Sequence, residues 1–168
     1  MMNSKLFLAV LAMVCAEEAF SFLLNQYPLH ASCKTKWDWP STACADVVSA
    51  LEAQIAKWNN TECGSGEKCG YGLTSKTSTQ LQAKHVTPVK HYVDDLTFTF
   101  KPEGGGSGCQ VDGYSTSETW YAVLDYSTNY CNLHNLITGA GLDKVSGYSE
   151  QTSDSICTQF SSANCEKY

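Results

Sequence analysis

Residues 40–60, PSTACADVVSALEAQIAKWNN, decide the class of fold. Cys44, Val47, Val48, Leu51, Ile55 and Trp58 recur at helical spacing and make one apolar face, while Asp46, Ser49, Glu52 and Lys57 lie off it. Pro40 stands just ahead, and Ser41 or Thr42 is the expected N-cap. Asp46 falls in the first turn, where the positive end of a helix favours an acid. Such a helix buries its stripe only against another apolar surface, and the residues that follow are suited to supply one.

Four runs of strand character come next. CGYGLTS (69–75) alternates Cys69, Tyr71 and Leu73 with small or polar neighbours, and QLQAKHVTP (80–88) alternates more weakly. YVDDLTFTF (92–100) is the clearest, with Leu96, Phe98 and Phe100 on one side and Thr97 and Thr99 on the other. GCQVDGYS (108–115) follows the loop KPEGGGSG. A helix and then a meander predict an α+β fold: one main amphipathic helix packed on an antiparallel sheet, stapled by disulfides, with a short C-terminal helix and tail.

Upstream, residues 22–40 include KWDWP, show no clear period and read as an extended N-terminal arm. Residues 41–168 read as a single disulfide-rich domain. Downstream, TWYAVLDYSTNYCNLHNL (119–136) is the densest stretch. Trp120, Ala122, Leu124 and Tyr126 alternate with Tyr121, Val123 and Asp125, so it is expected to begin as a fifth strand. Beyond Cys131 the spacing of Leu133, Leu136 and Ile137 becomes helical, with Gly139 or Gly141 as the stop. The polar tail (148–168) is expected to be pinned by Cys157 and Cys165.

The start of the chain has the form of a secretory signal peptide over 1–16: Lys5, the apolar run LFLAVLAMVCA, then Val14 and Ala16 at the −3 and −1 positions, with an alternative cut after Ser21. Removing it takes Cys15 away and leaves Cys33, Cys44, Cys63, Cys69, Cys109, Cys131, Cys157 and Cys165. An even count behind a signal peptide implies disulfides and an oxidising, extracellular destination, though sequence cannot choose the connectivity. Asn59-Asn60-Thr61 is a glycosylation sequon, with Asn59 as the acceptor. All eleven cationic residues are lysines against seventeen acids. That balance disfavours nucleic acid as a partner, and no polybasic patch or later apolar run points to membrane insertion.

The remaining motifs favour scaffold over chemistry. Cys131 and His134 have nucleophile-and-base identities, but a free Cys131 would leave another cysteine unpaired. His85, His91, Asp94 and Asp95 lie within eleven residues and are the types that bind divalent metals, yet their spacing matches no standard site and Pro88 bends the chain between the histidines. The glycines of 104–108 lead into a strand, not a phosphate-cradling helix. No cofactor, metal ligand set or catalytic residue is assigned. A carboxylate pair for sugar hydrolysis is a spatial arrangement that sequence does not display.

The order of one helix, four antiparallel strands and late disulfides over residues 41–126 resembles the cystatin and cathelicidin-propiece fold. Gln110-Val111-Asp112-Gly113 is one residue short of the cystatin Gln-x-Val-x-Gly and lies two strands late, and Trp39-Pro40 reverses the Pro-Trp element and precedes the helix. The resemblance therefore implies the fold and carries no inhibitory residues. The run from TNYCNLHNLITGAGL to SSANCEKY is also similar to uncharacterised secreted animal proteins. Taken together, the sequence predicts a secreted, non-catalytic binding module for an extracellular protein or glycan, with Trp37, Trp39, Tyr114 and Tyr130 as candidate anchors. A secreted hydrolase or metal-dependent enzyme, and a structural extracellular component, are the alternatives.

Overall fold

The computed structural model describes residues 28–168; the expected signal peptide and both candidate cleavage points lie outside the described residues. The architecture is α+β. In chain order it runs β1 (Ser32–Trp39), α1 (Cys44–Lys57), β2 (Tyr71–Lys76), β3 (Gln80–Val86), β4 (Val93–Glu103), β5 (Gly108–Ser117), α2 (Thr128–Gly139) and β6 (Ser149–Gln151). The six strands form one antiparallel sheet in the order β2-β3-β4-β5-β1-β6.

All four runs expected after the helix are strands, and α1 forms where its apolar stripe places it. Val47, Leu51 and Ile55 are buried against the sheet. The cap differs from expectation. Ala43, not Ser41 or Thr42, is the N-cap, and no side chain closes the end. Cys44 instead ties this first turn to β5 through its disulfide with Cys109.

The segment expected as an arm proves to be β1 over its described part. It pairs with β5 from Ser32↔Thr116 to Trp39↔Cys109, and with β6 on its other side. Thr35, Trp37 and Trp39 face the core while Lys34, Lys36 and Asp38 face outward. The same alternation holds in β4, whose Leu96, Phe98 and Phe100 are buried. The sheet thus has one apolar face, covered by both helices, and one polar face lined by Thr97, Thr99, Asp112 and Tyr114. Gly113 in β5 is required by this layering: a Cβ there would sit 2.5 Å from Trp37 Cη2.

Residues 118–127 are a correction. They form turns and irregular chain, not a strand, and the helix begins at Thr128, ahead of Cys131. With twelve residues, α2 is nearly as long as the fourteen of α1, and Leu133, Leu136 and Ile137 are fully buried. The eight cysteines pair as Cys33–Cys157, Cys44–Cys109, Cys63–Cys69 and Cys131–Cys165. Two of the four bridges fasten the tail, one to β1 and one to α2. Among the described residues no helix is long and apolar enough to cross a membrane.

Candidate functional site

Cys131 is bonded to Cys165 and is fully buried, so it is no nucleophile here. His134, one turn along α2, points its ring at Glu150 of β6. The Glu150 carboxylate accepts hydrogen bonds from Trp37 Nε1 (2.7 Å) and from the hydroxyls of Tyr130 (2.7 Å) and Tyr148 (3.2 Å), with His134 Nδ1 at 3.4 Å. Burial alone would raise the Glu150 carboxyl, but the donors His134, Trp37 and Tyr130 hold it below the ordinary glutamate value. Four donors on one carboxylate make a clamp between β1, α2 and β6.

Three of the four candidate anchors are therefore interior. Trp37 and Trp39 are fully buried. Trp37 stacks on Phe98 with centroids 6.1 Å apart, and Trp39 Nε1 donates to the Leu142 carbonyl at 2.8 Å. Tyr130 is buried by the clamp and by Phe160. An indole or phenol reaches such an interior when the fold supplies an acceptor for its polar tip, and each finds one. Tyr114 alone is exposed, on the polar face of the sheet with Lys34 Nζ 5.9 Å from its ring centroid.

The His/Asp group divides in two. His85 and Asp94 are cross-strand partners whose side chains point inward, while Asp95 lies on the other face beside Lys84 and His91 is exposed in the β3–β4 connection. Burial pulls the His85 imidazole down to about 4, so it is neutral at ordinary pH. Its Nε2 lies 3.1 Å from the Glu67 carbonyl, and its Nδ1 has no partner. Asp94 accepts from Asn132 Nδ2 at 2.7 Å; burial pushes its carboxyl up to about 6, against the lowering effect of the Asn132 and Ser117 contacts, with nearby Asp125 and Asp95 adding to the rise.

Asp94 opens onto a cavity of about 460 Å³ between the 87–92 connection and the 117–128 segment. Two further carboxyls line it. Glu67 is carried on the short loop closed by Cys63–Cys69, and burial followed by the Asp94 charge raises its carboxyl. Asp125 accepts from the Ser127 amide (3.0 Å) and from the Asn129 amide and Nδ2 (3.1 and 2.7 Å), closing the first turn of α2. Burial raises its carboxyl too. The outer wall is apolar and aromatic: Tyr121, Val123, Leu124 and Tyr126 are each more than half exposed, with Val89 and Tyr92 opposite.

That wall is held firmly despite being irregular. The Ala31 amide donates to the Ala122 carbonyl at 2.9 Å, the amides of Asp125 and Tyr126 donate to Gln159 Oε1, and Ser127 Oγ donates to the Gln159 carbonyl at 2.6 Å. Tyr126 and Ser127 take left-handed conformations there. Sequence reasoning found Asp94 and missed Glu67 and Asp125. The available signal for Asp125 was its place two residues before Ser127-Thr128 at the true helix start; Glu67 had none. Among the described residues no three His, Cys, Asp or Glu side chains stand close enough to share a metal ion, so the three carboxyls are spread around the cavity.

No family model and no curated protein matches the chain. Among solved structures, the open form of the exocytosis-sensitive phosphoprotein pp63/parafusin, a phosphoglucomutase from Paramecium, aligns with 14% identity over 70% of this chain and 22% of its own length, at a TM-score of 0.35. This chain spans about a fifth of that protein, and a likeness so slight says nothing about activity.

Proposed function

We propose that the protein is a secreted, non-catalytic binding module that engages an extracellular protein or glycan through the cavity walled by residues 119–126. The observation that carries this reading is the wall itself. Trp120 is 85% exposed and Tyr121, Val123, Leu124 and Tyr126 flank a concave site, yet backbone and Gln159 contacts fix the segment in place. A held, exposed apolar surface around a cavity of this size is what ligand recognition uses. Four disulfides, the exposed Asn59 of the sequon and the leader-like residues 1–16 support an extracellular, glycosylated protein. The helix followed by four consecutive antiparallel strands supports the cystatin-like likeness.

The test is a screen of the tagged secreted chain against glycans and extracellular proteins, repeated with Tyr121→Ala, Leu124→Ala and Tyr114→Ala. A saturable ligand weakened tenfold or more by the first two and indifferent to the third is the expected result. A ligand indifferent to the wall variants overturns the reading, as does self-association with no saturable ligand. A hydrolase is the second reading, favoured by the Asp94 carboxyl, pushed up to about 6 and lining the same cavity as Glu67 and Asp125, since a general acid needs a carboxyl that keeps its proton. Turnover of fluorogenic glycosides that vanishes in Asp94→Asn would establish it in place of the first.

A further inference from the structure

We propose that residues 22–27, FLLNQY, lie against the cavity wall of their own chain, so that an external ligand binds by displacing them. This rests on the binding reading above and gives its site a tethered competitor. Residues 22–27 lie outside the described residues, and the described chain begins at the wall itself. The Ala31 amide donates to the Ala122 carbonyl at 2.9 Å, the Ser117 amide donates to the Ala31 carbonyl at 3.2 Å, and His30 Nε2 lies 2.9 Å from the Ser117 carbonyl. Ser117 and Ala122 both line the cavity. Leu29, one residue further back, is 77% exposed, so the chain comes to this anchor along the surface and not from the core.

Two apolar surfaces are joined at that point. The wall exposes Tyr121, Val123, Leu124 and Tyr126 around a cavity of about 460 Å³, and a chain that works in water covers such a patch with an apolar partner. Residues 22–27 supply Phe22, Leu23, Leu24 and Tyr27, and all four remain after either expected cut, behind Ala16 or behind Ser21. The stretch has no charged residue, so the carboxyls of Glu67, Asp94 and Asp125 that line the cavity do not repel it. Six extended residues reach about 20 Å, ample for a cavity of this size. Tethering holds the segment at an effective concentration of roughly 1 mM, far above that of a second copy in solution. A dissociation constant of about 0.1 mM for the free peptide then leaves about ten covered chains for each open one.

The experiment compares the purified, disulfide-bonded chain with a variant carrying Phe22→Ser, Leu23→Ser and Leu24→Ser, both shown by intact mass to start at the same residue. Each is titrated with the peptide Ac-FLLNQY amide and followed by NMR. The variant is expected to bind the peptide with saturating shifts in residues 119–126. The parent, already covered, should bind it at least tenfold more weakly and show contacts between the Leu23 and Leu24 methyls and the Tyr121 and Tyr126 rings. Adding Tyr121→Ala, a change on the exposed rim, should weaken peptide binding by the variant about tenfold. Equal binding by parent and variant, or no saturable binding by the variant, overturns the inference. Methyl–ring contacts that grow with dimer content in sedimentation overturn it too, since the segment then comes from a second copy. A ligand from the screen above that binds parent and variant equally overturns the competitor and leaves the binding site standing. The expected peptide and contact results with no external ligand for either form would uphold the placement of the segment and overturn the binding reading.

Discussion

Replacing Glu150 tests whether the aromatic cluster around α2 is scaffold. In Glu150→Ala the Trp37 indole N–H and the Tyr130 hydroxyl lose acceptors at 2.7 Å in places closed to water, since Trp37 is 0% and Tyr130 8% exposed. A buried donor left unpaired costs about 1–3 kcal/mol, and hydrogen bonds to a charged group lie at the upper end of that range. The Trp37 indole is left unpaired and the Tyr130 hydroxyl keeps only His134 Nδ1 at 3.0 Å, for a loss of about 2–4 kcal/mol. With a urea slope of about 2 kcal/mol per molar, the middle of the usual range, the unfolding midpoint should fall by roughly 1–2 M. Glu150→Gln keeps one acceptor and should lose about half as much. Glu166, paired with Lys68 at 3.3 Å but 92% exposed, is the control, and Glu166→Ala should leave the midpoint where it was. A midpoint in Glu150→Ala within 0.5 M of the parent would refute the claim that this carboxylate clamps β1, α2 and β6 together.

The buried pair on β3 and β4 gives a pH signature. Asp94, at about 6 in the fold, holds its proton more tightly than an unfolded aspartate near 3.9, so its contribution to stability falls as pH rises through that window; His85, at about 4 against an unfolded value near 6.5, makes stability fall as pH drops through 6.5 to 4. Between pH 4 and 6 the two slopes oppose, so Asp94→Asn should unmask an acid-side loss of about 3 kcal/mol and His85→Gln the reverse slope, read by denaturation at stepped pH. Gly113→Ala should cost about 1–3 kcal/mol by forcing the Trp37 ring aside, seen as a lowered melting temperature. Chain expressed through a eukaryotic secretory pathway should carry one glycan that enzymatic deglycosylation removes and Asn59→Gln abolishes, checked by intact mass.

Where a segment showed contrast between its two faces, the sequence was readable. α1 and β4 separate apolar from polar positions cleanly, and both lie where that separation puts them. β1 carries the same contrast, Lys34, Lys36 and Asp38 against Thr35, Trp37 and Trp39, but it ends directly at Pro40 and follows residues without a period, which hid it. In 120–126 the two alternating sets differ only at Asp125, so alternation there hardly defined a polar face; the large apolar side chains are on the surface, in a loop tied down by Gln159. β6 is three residues long and exists only as a partner of β1. The cavity was least legible, because Glu67, Asp94 and Asp125 are brought together by a small disulfide loop, a strand and a helix cap that share no local signal.

The account turns on the cavity being the place of recognition. An amide-resolved NMR titration of the purified, disulfide-bonded chain with the first saturable ligand from the screen tests this most directly. Shifts gathered in residues 87–92 and 119–128 are predicted. Shifts gathered on Thr97, Thr99, Asp112 and Tyr114, across the open face of the sheet, would contradict it.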